Sequence, residues 1–264
     1  MLRYRPDALS KGAEDSLRNL AAQVAAKLTR DEQIAEAGRL FKKKTPKAAF
    51  DDIRSKLGSV SPPGRACFYC ERDRYRDIDH VKPKRHYPQF CFSWDNYVFA
   101  CAICNQDAKG DKYAVFGNGL DVIEFDRSWD RNVAPPVGQA VPIDIRSEDP
   151  LDYIKLDLET GVFLPIEVGT RSAIRAEYTI KLFKLFADDL ARIRRQAYDS
   201  YAHYLELFSS ALQDGDVNKA RRILQEISEL PHPTVLAEMR RQAEEVQSLA
   251  ELFAAVPPQI GARN

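Results

Sequence analysis

The sequence predicts an α+β protein, mostly helical, in which a small strand–strand–helix core stapled by four cysteines sits between two helical regions. Three observations predict it. Apolar residues recur at helical spacing before residue 60 and again after residue 170. All five cysteines fall between Cys67 and Cys104. The stretches around and after them hold short alternating runs broken by Gly, Pro, Asp and Asn, the pattern of strands and turns. The chain therefore reads as four segments: a helical segment over 1–60, the cysteine-bearing core over 61–116, a loop and hairpin connection over 117–169, and a helical region over 170–264.

Residues from about 9 to 40 read as helix, with Leu17, Leu20, Ala21, Val24 and Leu28 on one face. The basic run Lys42, Lys43 and Lys44 ends at Pro46, and 47–57 reads as a second short helix. Pro62 and Pro63 mark a break. Residues 114–150 read as loop with short strands, and 152–166 (DYIKLDLETGVFLPI) as a hairpin around Glu159, Thr160 and Gly161. In the tail, Leu185, Leu190, Ile193, Ala197, Tyr201, Leu205, Phe208 and Leu212 form one long stripe. Further helices are expected over about 215–230 and from Pro233 to about Phe253. Such stripes read first as intramolecular core and leave homo-oligomerisation open.

The chain has 264 residues, 44% of them apolar and 30% charged, enough to bury a core in the manner of a globular protein. Its 39 basic and 39 acidic residues cancel. A neutral total neither requires nor excludes nucleic acid, since binding needs only a local basic surface. The stretch Arg65 to Tyr87 offers one: Arg65, Arg72, Arg74, Arg76, Lys82, Lys84 and Arg85, interleaved with Phe68, Tyr69, Tyr75 and Tyr87. No apolar run is long enough to span a membrane, and the N-terminus lacks the apolar region of a signal peptide. The expected compartment is the cytoplasm, where thiols stay reduced and clustered cysteines read as metal ligands.

Cys67-x-x-Cys70 and Cys101-x-x-Cys104 are two such knuckles, and together they predict a tetrahedral four-thiolate zinc site. With four thiolates the ion has no position for water, so its role is structural. The 30 residues between the knuckles exceed the gap of a simple zinc ribbon, so something is inserted there. Cys91, inside that insert, reads as a buried apolar thiol.

The insert places Asp79 and His80 between Ile78 and Val81 on a short strand, with the returning strand expected over 90–94, a turn at Asp95 and Asn96, and a helix near the second knuckle. The run from Cys67 to Asp111 resembles the HNH, or ββα-metal, nuclease motif: an Asp-His pair followed by x-x-Pro, an Asn before an apolar strand, then Cys-x-x-Cys-Asn and a Lys one helical turn on. The resemblance implies metal-dependent hydrolysis of a phosphodiester. In it, His80 is the general base. Asp79 and Asn105 are hard oxygen ligands for one Mg²⁺ or Mn²⁺, and Asn96 orients His80 through the local backbone. Lys109, with Lys82, Lys84 and Arg85, contacts phosphate, and Asp111 and Lys112 are weaker candidates. His86 matches no position of the pattern, and His203 and His232 read as structural. Taken singly, each of these residues is unremarkable; only the joint spacing argues for function.

The tail adds a looser resemblance. The order of hairpin, the helix bearing Tyr178 to Leu182, and Asp189-Leu190-x-x-Ile193-Arg194-Arg195 resembles HNH proteins of prokaryotic anti-phage systems, Septu-type and retron-associated. That implies a defence nuclease working on DNA with an ABC/SMC-type ATPase partner; the chain itself has no P-loop. Two other readings stay open: a non-catalytic zinc module that binds nucleic acid or protein, and an HNH enzyme acting on RNA.

Overall fold

The computed structural model describes every residue except Asp73, Arg76, Arg263 and Asn264, so Arg76 of the basic stretch lies outside the described residues. The fold is α+β and about half helical, with three small antiparallel two-stranded sheets. Among the described residues, no helix is long and apolar enough to cross a membrane.

Helix α1 spans Lys11–Ala25, α2 Arg30–Lys43 and α3 Lys47–Ser59. The sequence reads as one helix from 9 to 40, but it breaks before α2. There Thr29 and Glu32 form a capping box, each side chain accepting from the other's backbone N–H, which starts a new helix. Leu28, counted on the apolar face, is 94% exposed in that break. Helix α2 ends at Lys44, whose φ of 48° turns the chain out of the helix.

The first sheet pairs β1 (Asp77–His80) with β2 (Tyr97–Ala100), Asp79 opposite Val98 and His80 opposite Tyr97. The returning strand is thus later than the expected 90–94. Residues Pro88–Phe90 and Trp94–Asn96 form tight turns instead, because Asn96 holds them: its Nδ2 donates to the carbonyls of Lys82 (3.1 Å) and Phe90 (2.9 Å). After β2 the chain enters a π-helical turn, Ile103–Lys109. Strands β3 (Tyr113–Phe116) and β4 (Val122–Phe125) form the second sheet, and β5 (Ile154–Leu156) and β6 (Phe163–Pro165) the third, at the expected hairpin.

The tail holds α4 (Arg171–Leu182), α5 (Asp188–Gln213), α6 (Val217–Glu229), α7 (Pro233–Gln242) and α8 (Gln247–Phe253). The last two divide what the periodicity reads as one helix. Leu190, Ala197, Tyr201, Leu205 and Phe208 of the predicted stripe are buried, and α5 packs on α6, α7 and α8. Leu212 departs from the stripe at 39% exposure.

The four sequence segments share one hydrophobic core. Tyr4 stacks on Phe68 at 4.0 Å and Tyr69 on Phe183 at 3.8 Å, so both flanks are sewn to the first knuckle by aromatic pairs, and Tyr75 stacks on Phe99 of β2 at 3.8 Å. Beside the first knuckle, the buried Glu71 carboxylate accepts from the Met1 ammonium (3.1 Å) and from the Thr234 hydroxyl of α7.

The hairpin is seated on α5 through Gly161. Its φ is 73°, and a Cβ there would lie 2.1 Å from the Ala191 carbonyl oxygen. Arg194 donates to the Gly161 carbonyl (3.1 Å) while covering the Phe163 ring at 4.2 Å. Gly161→Ala is expected to cost about 3 kcal/mol, since backbone must move away from backbone. Gly169, at φ 70° with open space around it, is the control; Gly169→Ala is expected to cost only the left-handed strain, about 1 kcal/mol. Urea midpoints of the two variants check this, and equal shifts would refute the seating of the hairpin on α5.

Candidate metal centre and polar cleft

The two knuckles converge. The Sγ atoms of Cys67, Cys70, Cys101 and Cys104 are all buried and lie within 4.8 Å of one another. Cys70 Sγ and Cys101 Sγ are 3.8 Å apart. That matches the edge of a tetrahedron with metal–sulfur bonds of about 2.3 Å, the zinc–thiolate distance. The backbone N–H of Tyr69 donates to Cys67 Sγ and that of Cys104 to Cys101 Sγ, both at 3.4 Å, which stabilises thiolate charge. The four cysteines can therefore hold a zinc ion. Cys91 is apart from them, fully buried, with its thiol turned to the Ala37 carbonyl at 3.7 Å.

Beside this centre a polar cleft of about 220 Å³ opens over the end of β1. Asp77, Asp79 and His80 of β1 line it, and Asn105 and Lys109 of the π-helical turn face them. Side chains alternate along a strand, so Asp77 and Asp79 share one face and His80 takes the other. The zinc knuckle sets the start of the π-helical turn, and the wide turn brings Asn105 and Lys109 over that face. π-Helical turns of this kind recur at functional sites.

Asp77 is the residue the sequence reading passed over. Asn105 Nδ2 (3.2 Å) and Gln106 Nε2 (2.9 Å) both donate to its Oδ2. The amide of Asn105 thus spends its donor on Asp77 and keeps its carbonyl oxygen for another partner. The spacing Asp-x-Asp before His80 was the available signal, since it puts two carboxylates on one strand face.

Asp79 is 4% exposed, and both of its oxygens are engaged. The Tyr69 hydroxyl donates to Oδ2 at 2.9 Å and Lys109 Nζ to Oδ1 at 2.9 Å. Lys109 Nζ also donates to the His80 carbonyl at 2.6 Å. Lys109, expected at phosphate, is instead 2% exposed. Its charge is balanced internally by Asp79, because a buried ammonium needs a buried counter-charge. Asp77, by contrast, is bound only by neutral amides; no cationic side chain among the described residues pairs with it.

His80 is 3% exposed. Its Nε2 lies 3.0 Å from the Cys91 carbonyl, to which it can only donate, so Nδ1 is the free acceptor. The Tyr97 hydroxyl donates to the same carbonyl at 2.7 Å. Asn96 fixes the loop that presents this carbonyl: Lys82 N–H donates to its Oδ1 at 2.7 Å, and Val81 N–H to its backbone carbonyl at 2.9 Å. The His80 ring is packed edge-on by Phe41 of α2 at 4.4 Å and by Tyr97 at 5.3 Å.

The remaining basic candidates divide. Lys84 lines the cleft. Lys82 caps the Phe90 ring at 4.6 Å, outside it. Arg85 donates to the Arg127 (2.7 Å) and Trp129 (3.5 Å) carbonyls and anchors that loop. Asp111 reaches the rim of the cleft, and Lys112 donates to the Ala108 carbonyl at 2.9 Å. His86 is buried, with Nε2 at 2.8 Å from the Asp111 carbonyl. Lys44 of the N-terminal region lines the cleft with Phe41, which nothing in the motif indicates.

No family model matches the chain, and no curated protein matches it.

Two expectations follow. Purified protein should carry one equivalent of zinc, and Cys101→Ser should lose it and melt at lower temperature; metal analysis showing none in the wild type would refute the centre. Burial holds His80 down to about 3, with Lys84 pushing the same way and the Cys91 carbonyl opposing. A pKa lowered on folding means that protons bind the unfolded chain first. Its contribution to stability is therefore whole above about 6.5 and is lost as pH falls from there towards about 3. Imidazole ¹⁵N shifts should show His80 neutral at pH 5.5, and His80→Asn should flatten the fall of unfolding free energy below pH 6.5. A His80 resonance titrating near 6.5 would overturn this.

Proposed function

We propose that this chain is a metal-dependent endonuclease of the HNH type that hydrolyses phosphodiester bonds, with DNA as the substrate. The observation that carries the reading is His80, its tautomer fixed by the Cys91 carbonyl, set on the same four-residue strand as Asp77 and Asp79 and in one cleft with Asn105. A base next to hard oxygen donors in one cleft is what hydrolysis of a phosphodiester requires.

Asp77 and Asn105 fit a small divalent cation: one carboxylate without a cationic partner and one amide oxygen, on one edge of the cleft. With Asp79 behind them they would hold Mg²⁺ or Mn²⁺, which supplies Lewis-acid stabilisation of charge on the departing 3′ oxygen. His80 accepts the proton of the attacking water at Nδ1, while Nε2–H stays on the Cys91 carbonyl. Asn96 acts one step removed, as the residue that positions that carbonyl. Lys109 offsets the charge of Asp79, so the cleft floor is less acidic than Asp77 and Asp79 together suggest. The four-cysteine centre holds zinc as a staple for both strands. The resemblance of the tail to anti-phage nucleases supports a defence role with an ATPase partner. One observation favours the non-catalytic module instead: both Asp79 oxygens are already held by protein donors.

The test is nicking of supercoiled plasmid, and cleavage of a structured RNA, with Mg²⁺ or Mn²⁺. Wild type should nick the plasmid, and His80→Ala and Asn105→Ala should each lose about 10²-fold or more while keeping zinc. Equal rates in wild type and His80→Ala would remove His80 as the base. Cleavage of RNA alone would reassign the substrate, and inactivity on both would favour the binding module.

A further inference from the structure

The corner between α2 and α3 belongs to no motif, yet it forms one wall of the cleft. Phe41 anchors it: its ring packs on His80 and also meets Phe50 at 5.9 Å, Phe92 at 6.4 Å and Tyr97 at 6.0 Å. From that anchor the chain exposes Lys42, Lys43, Lys44 and Lys47 within six positions. Lys44 reaches the cleft because its left-handed backbone ends α2 there. Lys84, from the loop after β1, approaches from the other side, with Nζ 5.8 Å from the centre of the Phe41 ring.

None of these five lysines makes a salt bridge among the described residues. Lysines at a helix C-terminus also complement its dipole, and that alone would explain Lys42 and Lys43. It does not explain Lys47, which starts the next helix, nor Lys84, which is on neither. In a chain whose charges cancel overall, this is a local excess: Lys44 and Lys84 line the cleft that holds Asp77 and His80, and Lys43, next in the chain, lines the groove between α1 and α2. An acidic floor beside a lysine rim suits a polyanion whose reacting phosphate is neutralised by metal and whose flanking phosphates need protein charge.

We propose that Lys43, Lys44 and Lys47 form a phosphate-binding ridge that, with Lys84 across Phe41, grips the nucleic-acid backbone on the His80 side of the cleft. The N-terminal helical region then supplies substrate affinity, and the cysteine-stapled segment supplies the chemistry. The contacts are to backbone phosphate and carry no base readout. The inference rests on the nuclease reading for its substrate, but its test does not depend on cleavage.

The test is fluorescence anisotropy with a labelled 20-mer duplex in divalent-free buffer across a salt series, on the full chain. Each lost phosphate contact should lower the slope of log K against log salt by about 0.9. The variant Lys43→Ala/Lys44→Ala/Lys47→Ala should lower it by about 2 to 3, and affinity at low salt should fall at least about tenfold. Lys84→Ala should lower it by about 1. The control Lys11→Ala/Lys155→Ala/Lys181→Ala, at exposed sites elsewhere, should keep the wild-type slope. The ridge and control positions are exposed, so thermal melting of those two variants should match wild type, whereas Lys84 is half-buried over the Phe41 ring and its variant is compared at its own melting temperature. A wild-type slope in the ridge variant overturns the proposal, as does wild type that binds no duplex. Wild type that binds through the ridge but cuts nothing with Mg²⁺ or Mn²⁺ leaves the ridge standing and removes the nuclease reading. Wild type that cuts, with the ridge variant binding and cutting alike, does the reverse.

Discussion

Four sulfurs within 4.8 Å of each other tie the turn before β1 to the turn after β2, and most of the cleft depends on that knot. The two strands are four residues each and, among the described residues, pair only with each other. A two-stranded ribbon of this length is marginal in water by itself. Held at one end by the sulfurs and flanked by stacked aromatics, it becomes rigid enough to fix Asp77 beside the sulfurs, Asp79 in the middle and His80 at its far end. The same knot sets where the π-helical turn begins, and so which face Asn105 and Lys109 present.

Lys109 shows how tightly this small unit is balanced. One ammonium satisfies the Asp79 carboxylate and the His80 carbonyl, so the side chain of one cleft residue and the backbone of the next share a single buried donor. A buried pair of this kind tolerates loss of neither partner, because the survivor is left charged and dry. The hydroxyl of Tyr69 takes the other oxygen and stacks its ring on Phe183, coupling the cleft to the C-terminal helices.

Much of this was legible in the sequence. The doubled Cys-x-x-Cys spacing located the four-sulfur cluster, because two such knuckles in one short region have the spacing of a four-thiolate metal site. The hairpin over 152–166 and most helices followed from periodicity and turn residues. What was not legible depended on tertiary context. The return strand came later than expected because a side chain, Asn96, organises the loop, and no local pattern encodes its three backbone partners. The break at Thr29 was readable from the capping box but was overridden by the apolar spacing on either side. Asp77 was hidden by its neighbours in the motif. Lys109 was assigned by position on a helix face, whereas burial decides what a lysine does.

Phe41 has a consequence for how this protein divides. The ring that covers one side of His80 comes from a helix about forty positions upstream of it. The segment that carries the recognisable pattern is therefore not portable. Transplanted alone into another chain, it would lose the flanking aromatic stacks and leave the imidazole open to solvent on one side. Less buried, the imidazole would titrate higher than it does here and move more freely. Proteins that borrow this segment must bring, or reinvent, an aromatic lid from outside it.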